Sequence, residues 1–473
     1  MRKRLERHLD WNLAKRKALV TPEWLRDSVA QDHLLPCADY AALPDLKEAA
    51  EKHCPRSTSQ SIQTPSYKPS SPFPSPHTSF IESPFRTAHV NPGPPAFLLP
   101  PPVPLLTPKL DHTARFSCSR ASPLISVNQS LCSAFDVLRC SRVLEGNERS
   151  ALSYARAIAR VSLTVNSAFP RKITASERSE VQKLPFIGAK ISKMIDEYLF
   201  YGEIAEIEEK RKSERFVSLS LFASIYGIGP VTARKLYDRG LRTLRDLEAY
   251  YEADIGPAPI GQSDSTEMNI RIALELRDDL VQTISRDEVE AIHSTILDHL
   301  NAVEPGCVST LVGGYRRGKP ASNDIDIVFT HPNTTSAKGL CTRLIARLRS
   351  SGLVTHVMHL SSFHEYNTLR TAHWDSLEKA LTVYRTPNDG QHRRVDLICA
   401  LPDTYWTAVV GWTGGTTFER DLRSAAKAIG LKFDSSGITR RRDSKIIYPR
   451  SEKEVFDIIG LPWVDPTLRN TDA

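Results

Sequence analysis

In the stretch LVGGYRRGKPASNDIDIVFTHP (311–332), two carboxylates, Asp324 and Asp326, stand one residue apart inside an apolar run. Side chains on a strand alternate with a period of two, so these acids share one face while Ile325 and Ile327 share the other. A third acid, Asp396, interrupts a second apolar run, RRVDLICAL (393–401). Three carboxylates on neighbouring strands repel one another unless a cation stands between them. Magnesium, oxygen-ligated and still partly hydrated, suits that place, and two such ions can bridge an attacking oxygen and a triphosphate. Just upstream, Gly313 and Gly314 remove side chains so that backbone amides can reach phosphate, and Arg316 or Arg317 adds a fork of donors. The plainer alternative, a surface Asp-x-Asp beside an arginine patch, leaves the order and company of these features unexplained.

The elements that must position these groups follow from periodicity. From about residue 290 onward strands alternate with helices, and STLVGGY, DIDIVFTH, ALTVYRT and RRVDLICAL are the strand candidates. Residues 126–290 read as helical. Within them, LPFIGAKISKMIDEYLFYG (184–202) and IYGIGPVTARKLYDRG (225–240) each set an apolar residue and a tight glycine turn before an amphipathic helix. Gly188 in the first, and Gly227 and Gly229 in the second, fit helix-hairpin-helix turns whose backbone amides approach a phosphate. Either turn alone is unremarkable; two in tandem point to the DNA backbone.

The chain has 473 residues, enough for two to four domains, and a net charge of +7 with a pI near 8.9, which suits a polyanionic partner. Residues 54–115 hold 15 of the 32 prolines, mixed with Ser and Thr, and read as a disordered tether. Ahead of the tether, Thr21 before Pro22 signals a helix start, with Trp24, Leu25 and Val29 as its apolar stripe. This piece resembles the last third of a BRCT domain; a lone amphipathic helix is the alternative. Eight scattered cysteines read as reduced thiols of an intracellular protein. No apolar run reaches the roughly 18 residues of a membrane span. The opening MRKRLERHLDWNL has no signal-peptide core, and its basic cluster reads as a nuclear signal or a solvated helix face.

Taken together, G-G-Y-R-R-G-K (313–319), D-I-D-I-V-F-T-H-P (324–332), R-V-D-L (394–397), W-T-G (412–414), F-E-R-D-L-R (418–423) and EKEVFDIIGLPWVDPTLRN (452–470) resemble the family X DNA polymerases. The likeness spans roughly 128–473 and leans toward the branch that holds polymerase mu, terminal transferase and fungal polymerase IV. It implies an α+β fold: a partial BRCT-like element (1–48), a Ser/Pro-rich linker (49–125), and an 8-kDa-like 5′-phosphate-binding domain with the first hairpin (126–207). Fingers with the second hairpin (208–287), a mixed-sheet nucleotidyltransferase palm (288–402) and a small α+β thumb for nucleotide selection (403–473) complete it.

The resemblance also implies roles. Asp324 and Asp326 bind both metal ions, Mg²⁺ with Mn²⁺ as a substitute, and Asp396 binds the catalytic one and helps deprotonate the primer 3′-hydroxyl. Gly313, the Gly314 amide and Arg317 contact the triphosphate, with Ser322 nearby. Gly411, Trp412, Gly414 and Glu419 surround the nucleotide, and Arg423 meets the template strand. Gly188, Lys190, Gly227 and Gly229 contact DNA. Gly415 departs from the family's usual serine. Met194 takes the place of the lysine that forms a Schiff base with an abasic sugar, while Lys190, Arg149 and Tyr154 remain to hold a 5′-phosphate. Lys193 lies about 100° around the helix from Met194 and points away.

The implied activity is DNA-directed DNA synthesis in short gaps during repair, by non-homologous end joining or base-excision-type filling, in the nucleus and as a monomer. The implied substrates are gapped or broken double-stranded DNA, dNTPs and also rNTPs. The implied partners are Ku and the DNA ligase IV complex, met through the BRCT-like region, with no membrane. Alternatives are a template-independent terminal transferase, an RNA-tailing nucleotidyltransferase and a non-catalytic end-joining scaffold. The short segment RTPNDGQHRR (385–394), the tandem hairpins and the three surviving acids count against them in turn.

Overall fold

A computed structural model of the chain describes residues 18–53, 114–162, 173–174, 178–253, 266–362 and 377–472, with breaks of one or two residues inside them. The chain divides into two units, Met1–Thr87 and Ala88–Ala473.

In the first unit Thr21 is extended and Pro22 opens the helix Pro22–Ala30, as the sequence signals. Trp24 is half-buried and its Nε1 donates to Leu35 O at 2.8 Å. Val29 departs from expectation. It is 72% exposed, while Ser28 beside it is buried together with Cys37, Leu46 and Ala50, so Val29 is not part of the packed face. The helix Lys47–Lys52 runs across the expected 48/49 boundary. Cys37 is disulfide-bonded, against the expectation of thiols throughout, while the thiols at 118, 132, 140, 307, 341 and 399 are free.

In the second unit the site rests on one mixed sheet. Its strands, with the short pair beside it, are β1 (Ile284–Ser285), β2 (Val308–Leu311), β3 (Ala321–Ser322), β4 (Ile325–Thr330), β5 (Val354–Ser361), β6 (Glu378–Arg385) and β7 (His392–Cys399). The main sheet has the order β2-β4-β7-β6-β5; β4 and β7 are parallel and the other pairs antiparallel. Strands form at all four expected places, but STLVGGY is strand only through Leu311, and its glycines begin the helical turn Gly313–Arg316. Ile325, Ile327 and Phe329 point to one face, where they pack with Ile292 and Ile296 of the helix Arg286–Val303 and with Leu344 and Leu348 of the helix Leu340–Ser350. Each such residue contributes about 1.5–3 kcal/mol on burial. Val328 and Ile398 point the other way, against Tyr405, Trp406 and Val409 of the helix Tyr405–Thr413. The acids lie on that second face, at the end where the apolar cover stops.

The C-terminal part adds the helices Thr416–Ala428 and Glu452–Ile459 and a three-stranded sheet, β8 (Leu431–Asp434), β9 (Gly437–Arg440) and β10 (Lys445–Ile447), in the order β10-β9-β8. Residues 114–122, read from the sequence as tether, are instead built into this part. Ser117 N donates to Asp421 Oδ2 at 2.7 Å, Ser122 N donates to Leu468 O at 2.7 Å, and Cys118 is fully buried. The helix Arg286–Val303 likewise crosses the expected 287/288 boundary, and β1 belongs with the palm strands through its pairing with β3. Among the described residues no helix is long and apolar enough to cross a membrane.

Candidate active site

Register brings the acids together. On the parallel pair β4 and β7, Asp326 stands directly opposite Asp396. Asp324 precedes β4 on the same side as Asp326. Desolvation first, and the neighbouring Asp324 and Asp396 charges second, push Asp326 well above the usual carboxylate range. Burial pushes Asp396 up to about 6 even though Arg394 beside it pulls the other way. The Asp396 Oδ1 atom is buried without a hydrogen-bond partner. An orphaned carboxylate oxygen and mutual repulsion are what a divalent cation relieves, so these residues fit one.

The three carboxylates are not drawn into a closed ligand set. Among the described residues no group of three or more His, Cys, Asp or Glu side chains stands that way. Instead the Arg394 guanidinium lies between them, with Nη2 3.0 Å from Asp324 Oδ2 and 3.4 Å from Asp396 Oδ2, and its plane meets the Tyr226 ring at 4.9 Å. Arg394 was not singled out by the sequence reading. The signal was present: it sits two residues before Asp396, hence on the same strand face.

Above the acids, Gly313–Arg316 forms one helical turn directly after β2. Gly313 has φ +59°, and a Cβ there would stand 1.9 Å from Asp326 Oδ2. Glycine is therefore required twice over, by conformation and by the close approach of the acid. The two arginines separate in role. Arg316 turns inward: Nη1 donates to Glu452 Oε1 at 2.8 Å and to Thr413 Oγ1 at 2.9 Å, and Nη2 donates to Glu452 Oε2 at 2.9 Å. Arg469 joins from the far side, 3.0 Å from Glu452. Arg317 faces the cleft, where its Nη1 donates to Thr413 O at 2.8 Å.

The cleft has a volume of about 300 Å³ and gathers nearly all of the expected nucleotide contacts: Gly313, Gly314, Arg317, Ser322, Asp324, Asp326, Gly411, Trp412 and Gly414 all line it. Lys319, Asn323, Thr416 and Asp472 line it too, and the sequence reading missed them. Glu419 sits behind Gly414, whose Cβ would come 2.9 Å from Glu419 Oε1. Both Glu419 oxygens are buried without hydrogen-bond partners. Burial pushes this carboxyl up to about 8, against the pull of Arg423 at 3.5 Å and of Arg469. Gly415 begins the helix Thr416–Ala428 with ordinary extended backbone. Asp472 fills the place of a capping side chain there: its Oδ1 accepts from Thr417 N at 3.1 Å and Thr417 Oγ1 at 2.7 Å.

Gly411 departs from a simple reading as open space beside the nucleotide. A Cβ on it would meet Ser435 Oγ at 2.5 Å and Ser435 Cα at 3.2 Å, so it is also a close-approach position between a helix and the β8–β9 turn.

Away from the cleft, Gly188 and Gly229 are the residues immediately before the helices Ala189–Tyr201 and Pro230–Asp238. Gly227 has φ +89°. In the first hairpin the matching position is Phe186, with φ +71°, so that turn holds a non-glycine residue in the left-handed region under the Arg156 guanidinium, 4.8 Å from its ring. Tyr154 and Met194 meet in the core of the small helical bundle, with the hydroxyl 3.7 Å from the thioether sulfur. Lys190 lies beside Tyr154, and Arg149 is exposed on the same helix as Tyr154. Lys193 is exposed, whereas Met194 is buried.

Comparison with known proteins accounts for the same stretches. Family models described as DNA polymerase beta palm, DNA polymerase beta thumb and fingers domain of DNA polymerase lambda match residues 283–402, 408–470 and 220–257. The human DNA-directed DNA/RNA polymerase mu is 31% identical over 75% of this chain and 72% of its own length. The DNA polymerase type-X family protein pol4 of Schizosaccharomyces pombe is 30% identical over 76% of this chain and 67% of its own length. The human DNA nucleotidylexotransferase is 27% identical over 80% of this chain and 73% of its own length. With fingers, palm and thumb matched in chain order and the three aspartates inside the palm match, the chain belongs to the family X DNA polymerases.

Proposed function

We propose that this polymerase adds nucleotides to a primer 3′-hydroxyl in short DNA gaps, as a nuclear repair enzyme serving double-strand-break end joining and related gap filling. The observation that carries the reading is the register of Asp326 against Asp396 beneath a turn that only glycine can form. Two Mg²⁺ ions, with Mn²⁺ as a substitute, held by Asp324, Asp326 and Asp396 would supply charge neutralisation for the triphosphate and a more acidic primer hydroxyl. The chain's own groups do the rest. Gly313 and Gly314 open their amides to phosphate, Arg317 adds a cationic fork, and Arg316 fixes the turn that holds them. Arg394, paired here with Asp324 and Asp396, would release both carboxylates wherever those acids hold metal. Its position on the strand beside Asp396 keeps it available to the primer end.

Templated synthesis is favoured over untemplated tailing because β6 and β7 are joined by a short turn, with β6 ending at Arg385 and β7 beginning at His392. No long loop stands there to replace a template strand. The 8-kDa-like domain binds a 5′-phosphate with little lyase activity, the two hairpins grip DNA backbone, and ribonucleotides are accepted with weak bias. Ku and the DNA ligase IV complex are the partners expected of the BRCT-like region, and the polymerase acts as a monomer.

Primer extension tests the reading. One-nucleotide gapped DNA should be filled with dNTP and with rNTP, and a lone single-stranded primer should be extended poorly. Asp396→Ala should abolish filling, a loss of at least about 10³-fold, while gapped DNA still binds. Efficient extension of the single strand, or near-normal filling by that variant, would overturn it.

A further inference from the structure

The small helical bundle carries an anion where an anion is expected to bind. Lys190, in the first turn of the helix Ala189–Tyr201, stands 3.1 Å from Glu206 Oε2. The other oxygen of Glu206 accepts from Arg142 Nη2. Glu206 lies in the first turn of the helix Ala205–Lys212 and Arg142 in the last turn of the helix Gln129–Leu144, so three separate elements converge on one carboxylate. The Arg142 side chain is 19% exposed and that of Glu206 25%, whereas Lys190 is 63% exposed. The Arg142–Glu206 pair is thus the more enclosed part of the cluster and Lys190 its solvent-facing member. Tyr154 also interacts with Lys190.

We infer that Glu206 is a specificity-determining residue for the downstream DNA end: it occupies the cationic cradle when no 5′-phosphate is present and must release Lys190 when one binds. This rests on the proposed 5′-phosphate role of Lys190 and Tyr154. A terminal phosphate carries about −1.5 to −2 charge at neutral pH. Two cations already paired to one carboxylate offer it little net attraction, and the phosphate oxygens also meet the Glu206 charge. The cradle then discriminates modestly between a phosphorylated and an unphosphorylated end, and the polymerase accepts ends that a stronger pocket would reject. Arg142, held by the same carboxylate, becomes a second phosphate donor only when that carboxylate lets it go.

The test is the ratio of apparent affinities for gapped DNA with a 5′-phosphate and with a 5′-hydroxyl on the downstream strand. Glu206→Gln keeps the shape and removes the charge, and it should raise that ratio roughly five-fold. The salt dependence of binding should also steepen on the phosphorylated substrate, by about one phosphate contact. Glu206→Asp, which withdraws the carboxylate by one methylene, should give an intermediate rise, and it serves where glutamine loosens the helix. Lys190→Ala separates the two readings. An unchanged or lower ratio in Glu206→Gln, with the ratio still lost in Lys190→Ala, overturns the role of Glu206 alone. A ratio that Lys190→Ala does not alter overturns the pocket and this inference with it.

Discussion

Arg316 and Glu452 form a fork-to-fork ion pair, with N–O distances of 2.8 and 2.9 Å, between the phosphate-facing turn and the helix Glu452–Ile459. Glu452 is 1% exposed. Burial by itself raises a carboxyl, yet Arg469 and Arg316 overcome it and hold Glu452 down at about 2. The Trp463 indole completes the shell, donating to Glu452 Oε2 at 3.3 Å. The pair therefore sets where Gly313, Gly314 and Arg317 stand without touching the reaction.

Removing one partner leaves the other charge buried and uncompensated, which costs about 3–5 kcal/mol. Glu452→Gln should lower stability by that order and reduce kcat more than nucleotide affinity, because the turn loses its anchor rather than its amides. The acid limb carries a sign. The folded pKa lies below the ordinary 4.5, so this stability is present above pH 4.5 and is lost as pH falls toward 2. Melting curves of both proteins should converge in that window; curves that stay parallel there would contradict the assignment.

Glu419 has the opposite sign. Its folded pKa of about 8 lies above its ordinary 4.5, so the protonated form is favoured by folding, and stability falls as pH rises from 4.5 through 8. Glu419→Gln, neutral and of equal size, removes that slope. The melting temperature of the natural chain relative to the variant should drop by several degrees between pH 5 and pH 9. The ratio of their gap-filling rates should also drop, by about ten-fold from pH 7 to pH 9, if the neutral carboxyl is the working form beside the nucleotide. A flat difference in both measurements would show that Glu419 is ionised throughout.

Gly411 makes a prediction about the sugar. With no side chain beside the incoming nucleotide, a 2′-hydroxyl meets no clash, and discrimination against ribonucleotides should be under about ten-fold. The Ser435 contact determines how to restore it. Gly411→Tyr alone pushes on the β8–β9 turn and should lose activity as well as gain bias; paired with Ser435→Gly it should recover filling and keep the preference for dNTP. Comparing kcat/KM for dNTP and rNTP in the three proteins checks this. A strong dNTP preference in the natural chain would remove Gly411 from the argument.

Much of the site was legible because its chemistry interrupts a pattern. Asp324, Asp326 and Asp396 each break an apolar run of period two, and a strand cannot hide such a break. The glycine turn was legible for the same reason. What escaped notice depends on contacts between distant positions. Arg316 and Glu452 are 136 residues apart, and nothing near Arg316 marks it as an anchor rather than a ligand. Gly415 reads only as a departure from the family's usual serine, and nothing near it shows that Asp472, from the end of the chain, caps the helix that follows. The edge strand β5 was missed because VTHVMHLS alternates poorly, and its register against β6 shifts twice, at Val354/His356 and Val357/His359. Residues 114–122, ARFSCSRAS, share the serines of the tether but not its prolines, and that end of composition bias is the signal that went unused; their burial distinguishes them.

The last prediction concerns chemistry that the small helical bundle lacks. An abasic 5′-end is released through an imine, which needs an unprotonated amine within bonding reach of the sugar aldehyde. Met194 is 6% exposed and its thioether receives the Tyr154 hydroxyl, so no amine stands at that point. Lys193 is exposed, on a different face of the same helix. Lys190 pairs with Glu206 in the free protein and with the 5′-phosphate once an end is bound, and an ammonium paired to either anion is a poor nucleophile. Borohydride should therefore trap no substantial adduct between this polymerase and an abasic 5′-end. Met194→Lys places an amine against Tyr154 in a mostly apolar wall, where desolvation lowers a lysine pKa and frees the nucleophile. That variant should gain a trappable adduct, at some cost in stability from the buried charge. An efficient adduct in the natural chain, lost in Lys190→Ala or Lys193→Ala, would instead assign the chemistry to one of those lysines.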